Sequence, residues 1–185
     1  RLRTARESLQ AAHRTLTEAR ARHDALQALQ AKVAQSGDMD AWLARRGLAE
    51  AKPLWQSIQV EAGWETAVEA VLRERFSALL GTAEAVRGAF GEKAPGILAL
   101  ALPAEIAGSA SAGDSLRAKV RCLDARWTAA LDEWLAGVTV ADDLAAVFPS
   151  KAGAHVSRDG HLLTPNGLTL YVPDAKTHGV IERQR

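Results

Sequence analysis

The chain has 185 residues, of which 48% are hydrophobic and 24% charged, values that are ordinary for a folded protein. No apolar run approaches the length of about 18 residues that a membrane-spanning helix needs, so the sequence excludes one. The formal net charge is +1. Because the basic excess is concentrated in residues 1–36, the remainder lacks the broad positive surface typical of nucleic-acid-binding domains.

The two ends of the sequence predict an internal piece of a longer protein. The chain starts at Arg1 rather than at Met, and no apolar segment typical of a signal peptide follows. Residues 181–185 resemble the opening turns of a helix. The single cysteine, Cys122, excludes an internal disulfide and is typical of a reducing compartment.

Residues 1–35 contain no Gly or Pro and are rich in helix-forming residues, which predicts one long helix. Leu2, Leu9 and Leu16 recur every seven residues at heptad position a. Position d holds Ala5, Ala12, Ala19, Leu26 and Val33. This seam is typical of a coiled coil, and we expect its antiparallel partner to start near residue 176. The alternative is a helix that packs on the surface of the chain's own domain.

A short helix and a compact unit are predicted next. Gly37 is expected to end the long helix as its C-cap, and Asp38 to cap a short helix that holds Trp42. From Pro53 onward, the pattern predicts a strand, a core-facing helix, a strand, a short helix and a strand. The predicted elements are residues 58–60, 64–72, 76–80, a helix capped by Thr82 that runs through Val86, and residues 96–100.

The same order of elements recurs about 63 residues later. Trp64 then falls on Trp127, and Leu72 on Leu135. Asp142 is expected to cap the short helix of this second copy. Its predicted strands are residues 120–123, 137–140, 154–156 and 162–163. Between the copies, residues 108–113 are rich in Gly, Ser and Ala and predict a mobile loop.

No motif in the sequence predicts catalysis. It has no phosphate-binding Gly-rich loop, no nucleophile elbow and no Cys-x-x-Cys pair. His155 and His161 could approach each other across a turn, but two histidines without a third ligand are more often structural. Aromatic residues can stack on single-stranded nucleic acid, yet Trp64, Trp127 and Trp134 lie on apolar helix faces, which favours core packing.

Three segments carry a resemblance to a known family. They are residues 58–72 (IQVEAGWETAVEAVL), 137–147 (GVTVADDLAAV) and 156–167 (VSRDGHLLTPNG). In this order, between an incoming helix and the start of another, they resemble the hinge of bacterial SMC (structural maintenance of chromosomes) proteins. The resemblance covers essentially the whole chain, and residues 174–185 resemble the start of the returning coiled-coil arm.

The resemblance implies an α+β fold of two pseudo-repeated subdomains with mixed sheets, an N-terminal coiled-coil helix and the start of a returning C-terminal helix. The implied organisation is residues 1–36 as the incoming arm, 37–107 as hinge subdomain 1, 108–114 as a flexible linker, 115–174 as hinge subdomain 2 and 175–185 as the returning arm.

The resemblance also implies a function. Hinges of this family form homodimers that meet face to face in a two-fold ring with two contact surfaces. The ATPase heads of such condensin-type proteins lie elsewhere in the parent chain, so this piece is expected to be no enzyme and to need no cofactor. The parent protein would entrap DNA during chromosome condensation and segregation, in the cytoplasm at the nucleoid and away from membranes.

An edge strand must be offered to the partner if a sheet is to extend across subunits. Asn166-Gly167 is a tight-turn dipeptide that would present residues 168–172 as such an edge. The alternative is an ordinary hairpin turn inside one subunit. The candidate dimer-interface residues are Gly160, Asn166, Gly167, Leu168, Leu170 and Tyr171.

This sequence departs from the family at two places. Leu170 and Tyr171 stand where many members have a second glycine pair, which would make the contact more apolar. Arg73 stands where a glycine often follows the helix.

The alternative function is a DNA-binding module with a basic arm and no obligate dimerisation. Phosphate contacts would make its affinity strongly salt-dependent. The candidate DNA-binding residues are Arg3, Arg6, Arg14, Arg20, Arg22, Arg117, Lys119 and Arg121. Because residues 37–185 carry a net negative charge, DNA contact is expected to be secondary to dimerisation.

Overall fold

The computed structural model describes residues 37–104 and 113–173, and in addition the helical residues 13, 14, 16–18, 20 and 21. Most of the predicted coiled-coil seam, most of the predicted linker and the predicted returning arm lie outside the described residues. Among the described helices, none combines the length and apolar composition that crossing a bilayer requires.

The first half of the fold follows the predicted order. Its elements are α1 (residues 37–45), β1 (Ile58–Val60), α2 (Glu65–Leu72), β2 (Leu79–Leu80), α3 (Ala83–Gly91) and β3 (Leu100–Ala101). Helix α2 buries Ala67, Val68 and Leu72, the face that its apolar spacing predicts. Thr82 caps α3 as expected, because its hydroxyl accepts a hydrogen bond from the backbone N–H of Ala85.

The second half repeats this order and adds a hairpin. Its elements are β4 (Val120–Cys122), α4 (Thr128–Trp134), β5 (Val138–Val140), α5 (Leu144–Val147), β6 (Ala154–Val156), β7 (Leu162–Thr164) and β8 (Gly167–Thr169). Trp64 and Trp127, which the 63-residue shift aligns, directly precede α2 and α4.

The described strands form three sheets. Antiparallel pairing of β1 with β4 joins the two halves, with Ile58 opposite Cys122. Strands β2 and β3 pair in parallel, and so do β5 and β6 at the equivalent place in the second half. In the second half, two antiparallel strands extend the pair, so that the sheet order is β5-β6-β7-β8, whereas the β2-β3 pair has no such extension among the described strands.

The core is one apolar cluster to which both halves contribute. Trp64 and Trp127 are buried in it, and the half-buried Trp134 packs against it with its ring 6.5 Å from that of Trp127. These three residues are therefore packing residues, as predicted, and not a stacking platform for nucleic acid. Trp42 is also buried, where α1 meets the end of α3.

Two predicted strands are shorter than the sequence suggested. Arg73–Ser77 form a 3₁₀ turn, so the strand expected at residues 76–80 is confined to β2. The strand expected at residues 96–100 begins only at Leu100, and Ile97 is 81% exposed. An apolar run alone did not distinguish buried strand from surface loop.

Four predicted helix boundaries also need correction. Gly37 and Asp38 both lie within the helical backbone of α1, so Gly37 is not the expected C-cap of the preceding helix and Asp38 is not the expected N-cap of this one. Asp143, not Asp142, caps α5, since its carboxylate accepts from the N–H of Ala145. Helix α3 continues past Val86 to Gly91.

Candidate interaction surface

Strand β8 is the last strand of the four-stranded sheet, and no other strand of the described residues lies beside its outer edge. Pro165 and Asn166 form a two-residue turn from β7, and β8 pairs back on β7 with Leu168 opposite Leu163. The hairpin therefore forms within one subunit, as the alternative interpretation predicted. Because β8 is its second strand, β8 is the edge strand of the sheet. An unpaired edge presents backbone N–H and C=O groups to a further strand.

Exposed apolar side chains follow this edge at alternate positions. Leu168, Leu170 and Val172 are 56%, 68% and 84% exposed. Leu168 belongs to β8, and Leu170 and Val172 follow its last residue, Thr169, so the three form an exposed apolar row along the end of this segment. Tyr171, between the last two, is half-buried.

Two grooves flank the row. One is lined by Leu144, Leu163, Leu168 and Phe148, and the Phe148 side chain is 69% exposed. The other is lined by side chains of α2 and the following turn, by Ile97 and by Leu170 and Val172. We call the exposed apolar set the edge surface; it consists of Ile97, Phe148, Leu168, Leu170 and Val172.

Sequence reasoning missed Ile97 and Phe148 and did not single out Val172. Ile97 was expected inside a buried strand. Phe148 directly follows α5 and precedes Pro149. An aromatic residue beside a proline in a loop is the sequence signal that would have identified it. Contiguous apolar exposure of this kind marks interaction sites.

Gly160 is buried inside the subunit, which corrects its predicted place in the contact surface. Its φ of +82° favours glycine, and a Cβ there would lie 2.8 Å from the Cβ of Ala70 and 3.1 Å from the carbonyl oxygen of Thr66. The same Cβ would lie 2.7 Å from the ring of Tyr171. Gly160 therefore lets the turn before β7 pack on α2.

The other candidate interface residues differ in exposure. Asn166 and Gly167 are exposed at the tip of the hairpin. Tyr171 faces inward, and its backbone N–H donates to Nδ1 of His161 at 3.1 Å. The segment is thus exposed at Leu168 and Leu170, whereas at Tyr171 its backbone is hydrogen-bonded to His161.

Two of the candidate DNA-binding residues in the second half are already paired. Arg117 Nε donates to Asp132 at 2.6 Å, and Lys119 Nζ to Glu61 at 3.1 Å. Arg121 is exposed. Arg14 and Arg20 are exposed on helical backbone, and Arg3, Arg6 and Arg22 lie outside the described residues. Of the three candidate DNA-binding residues between 117 and 121, only Arg121 is therefore exposed and without an ion pair among the described residues.

The histidines have separate partners, since His155 Nδ1 lies 2.7 Å from the hydroxyl of Thr139. In the part of the chain that the structure describes, no three His, Cys, Asp or Glu side chains are arranged to hold a metal ion. A hydrogen bond from Arg126 lowers the pKa of Asp124, and the two form a local surface pair that caps a 3₁₀ turn.

The sequence matches a family of known proteins and several curated relatives. Residues 50–146 match the flexible hinge domain of SMC proteins. The chain is 36% identical over its whole length to the chromosome partition protein Smc of Thauera aminoaromatica, and 37% identical over 98% of its length to that of Burkholderia pseudomallei. The matched stretches make up 19% and 16% of those two proteins, so the chain spans less than a fifth of each.

Solved hinge structures share the fold. The SMC hinge domain of Geobacillus stearothermophilus, crystallised as an asymmetric dimer, has a TM-score of 0.58 at 20% identity, over 88% of this chain and 80% of that one. The Pyrococcus furiosus Smc hinge domain with an extended coiled coil has a TM-score of 0.51 at 16% identity, over 87% of this chain and 69% of that one.

Proposed function

Since this chain belongs to the family of SMC flexible hinge domains, we propose that it is the part of a bacterial chromosome partition protein through which two copies of that protein dimerise. The observation that carries the proposal is the open edge of β8 together with the exposed apolar row of Leu168, Leu170 and Val172. A second strand at this edge would pair its backbone groups and cover the row.

The two halves of the fold suggest which strand of the partner is used. Strand β6 has β7 beside it, whereas its counterpart β3 has only β2 as a neighbour among the described strands. On the far side of each pair, an isolated bridge closes the edge: Pro53 to Leu79, and Ser115 to Thr139. Within the sheets that contain these two pairs, the edges left open among the described residues are thus β3 and β8. Two-fold symmetry would join them twice, which gives a ring with two equivalent contacts.

The remaining assignments extend this proposal beyond the described residues. Residues 1–36 and 175–185 would be the incoming and returning arms of one antiparallel coiled coil, with 37–107 and 115–174 as the hinge subdomains. The piece itself would have no catalytic role, and the parent chain would act at the nucleoid in the cytoplasm. DNA contact through exposed arginines such as Arg14 and Arg20 is a secondary role.

Sedimentation of the 185-residue chain tests dimerisation. We expect a dimer at low micromolar concentration and a monomer for Leu170→Asp, because an aspartate would place a charge in the apolar contact. Leu123→Asp is the matched control: Leu123 is an exposed leucine that lines a different groove, so this variant should remain a dimer. A wild-type chain that is monomeric at tens of micromolar would contradict the proposal.

A further inference from the structure

Tyr171 lies beyond the last residue of β8, and its backbone is hydrogen-bonded to a side chain, since its N–H donates to Nδ1 of His161 at 3.1 Å. In the register of β7 and β8, Leu162 is opposite Thr169. Two residues further along this register, Gly160 would be opposite Tyr171. The Tyr171 ring does lie against Gly160, where an added Cβ would be 2.7 Å from its Cδ1. The segment after β8 therefore follows the register of the hairpin without being part of the sheet.

The backbone of His161 is engaged on its other side, by the turn that connects β6 with β7. The N–H of His161 donates to Oγ of Ser157 at 3.2 Å, and its carbonyl oxygen accepts from the N–H of Ser157 at 2.9 Å. Gly160 belongs to the same turn, and its N–H donates to the carbonyl oxygen of Ser157. The imidazole of His161 thus supplies the acceptor for Tyr171 at the place where the ladder of β7 and β8 ends.

This hydrogen bond bears on the exposed apolar row. Strand β8 has three residues, and Leu170 and Val172 lie beyond it. They are 68% and 84% exposed, whereas Tyr171 between them is half-buried. A hydrogen bond that holds Tyr171 against the subunit keeps its two neighbours on the outer side. A segment ordered before binding avoids the loss of conformational entropy that an unordered one undergoes on association.

We propose that His161 is a positioning residue for dimerisation, an inference that rests on the proposed hinge dimerisation. Its Nδ1 preorganises residues 170–172 as the continuation of β8, so that a second copy meets residues 167–172 rather than β8 alone. Nδ1 accepts a hydrogen bond only without a proton of its own, so the imidazole that does this is neutral and carries its proton on Nε2.

Substitutions at His161 separate the acceptor from the bulk of the side chain. His161→Leu and His161→Ala both remove the acceptor, and His161→Leu keeps a side chain that branches at Cγ. His161→Asn has the same branching and retains an acceptor, because its Oδ1 is bonded to Cγ as Nδ1 is. His155→Ala is the matched control: His155 is also half-buried, but its Nδ1 lies 2.7 Å from the hydroxyl of Thr139 on β5.

Two measurements are made on each variant. Sedimentation gives the dimer dissociation constant. The hydrogen bond itself is measured by exchange of the Tyr171 amide below the dissociation concentration and, in the wild type, by the scalar coupling between the Tyr171 amide nitrogen and Nδ1 of His161. Amides of β1 and β4 report whether the subunit is folded.

We expect His161→Leu and His161→Ala to expose the Tyr171 amide to exchange and to weaken the dimer about tenfold, the effect of one hydrogen bond together with the order that it maintains. His161→Asn should keep the amide protected and the dissociation constant within about threefold of the wild type. His155→Ala should leave both quantities unchanged.

A His161→Leu variant that dimerises as tightly as the wild type would overturn the positioning role, and so would equal weakening by His161→Leu and His161→Asn. The dimerisation proposal would survive either result, since the wild type would still be a dimer and Leu170→Asp a monomer. A wild-type chain that never dimerises would instead remove both.

Discussion

Single residues in this domain have conformations that their neighbours enforce. At Gly160 the backbone has a positive φ and the turn lies against α2, so that an added Cβ would be strained and too close to its neighbours. Arg73 is the opposite case, a side chain kept where the backbone favours glycine. The sequence pointed to both positions, but only the structure shows that Gly160 packs within the subunit while Arg73 lines the groove beside Leu170 and Val172.

Gly160→Ala should lower the free energy of unfolding by about 1–3 kcal/mol, because it adds strain at a positive φ and a contact too close to Ala70. Urea unfolding in the Leu170→Asp background measures this. Gly37→Ala is the control: Gly37 is helical with open space at its Cβ, so this change should stabilise slightly. If both substitutions changed the free energy of unfolding equally, Gly160 would not be the tightly packed position described above.

At the scale of elements, α1 is held on the end of α3 by a small set of contacts. Trp42 is buried and its Nε1 donates to the carbonyl oxygen of Glu92 at 3.2 Å. The Glu92 carboxylate accepts from Arg45 and Arg46, and the Arg46 guanidinium lies 4.7 Å from the centre of the Trp42 ring. These contacts therefore hold α1 against the end of α3.

Trp42→Ala should destabilise the fold by about 3–5 kcal/mol, the cost of removing a buried indole, and should free α1 from α3. Unfolding measurements give the first quantity and limited proteolysis within residues 37–47 the second. Arg45→Ala removes only an exposed ion pair, worth about 1 kcal/mol or less, and is the control. If α1 resists proteases as well in the Trp42→Ala variant as in the control, Trp42 does not hold α1 on the end of α3.

The element order was predictable because the two halves carry matching patterns, from Trp64 and Leu72 to Trp127 and Leu135. Short apolar stretches were less informative: residues 96–100 have the composition of a buried strand, yet Ile97 is exposed. A hairpin after β7 was predictable from its Asn and Gly residues, but its two turn residues are Pro165 and Asn166 rather than the predicted Asn166 and Gly167, which is the first residue of β8. Which edges stay open depends on pairing between distant segments, such as Pro53 with Leu79, and no local pattern reports that.

For the whole molecule, the proposed dimerisation depends on a difference between two similar halves. The second half carries a hairpin beside β6, and the first has no counterpart of it beside β3 among the described residues. In the proposed dimer, a second copy would occupy the vacant position beside β3 and would cover the open edge of β8. The exposed apolar residues beside β8 supply the burial that such a contact needs.

The most direct test is backbone amide hydrogen exchange of residues 167–172, measured on the wild-type chain above and below its dimer dissociation concentration. We expect those amides of this segment that have no partner within the subunit to exchange slowly when the chain is dimeric and to lose that protection on dilution and in Leu170→Asp. The Tyr171 amide, which donates to His161 within the subunit, and the amides of β1 and β4 should be unchanged. Exchange at β8 that is fast in a dimeric sample, or independent of concentration across the dissociation range, would show that the edge of β8 is not where two copies meet.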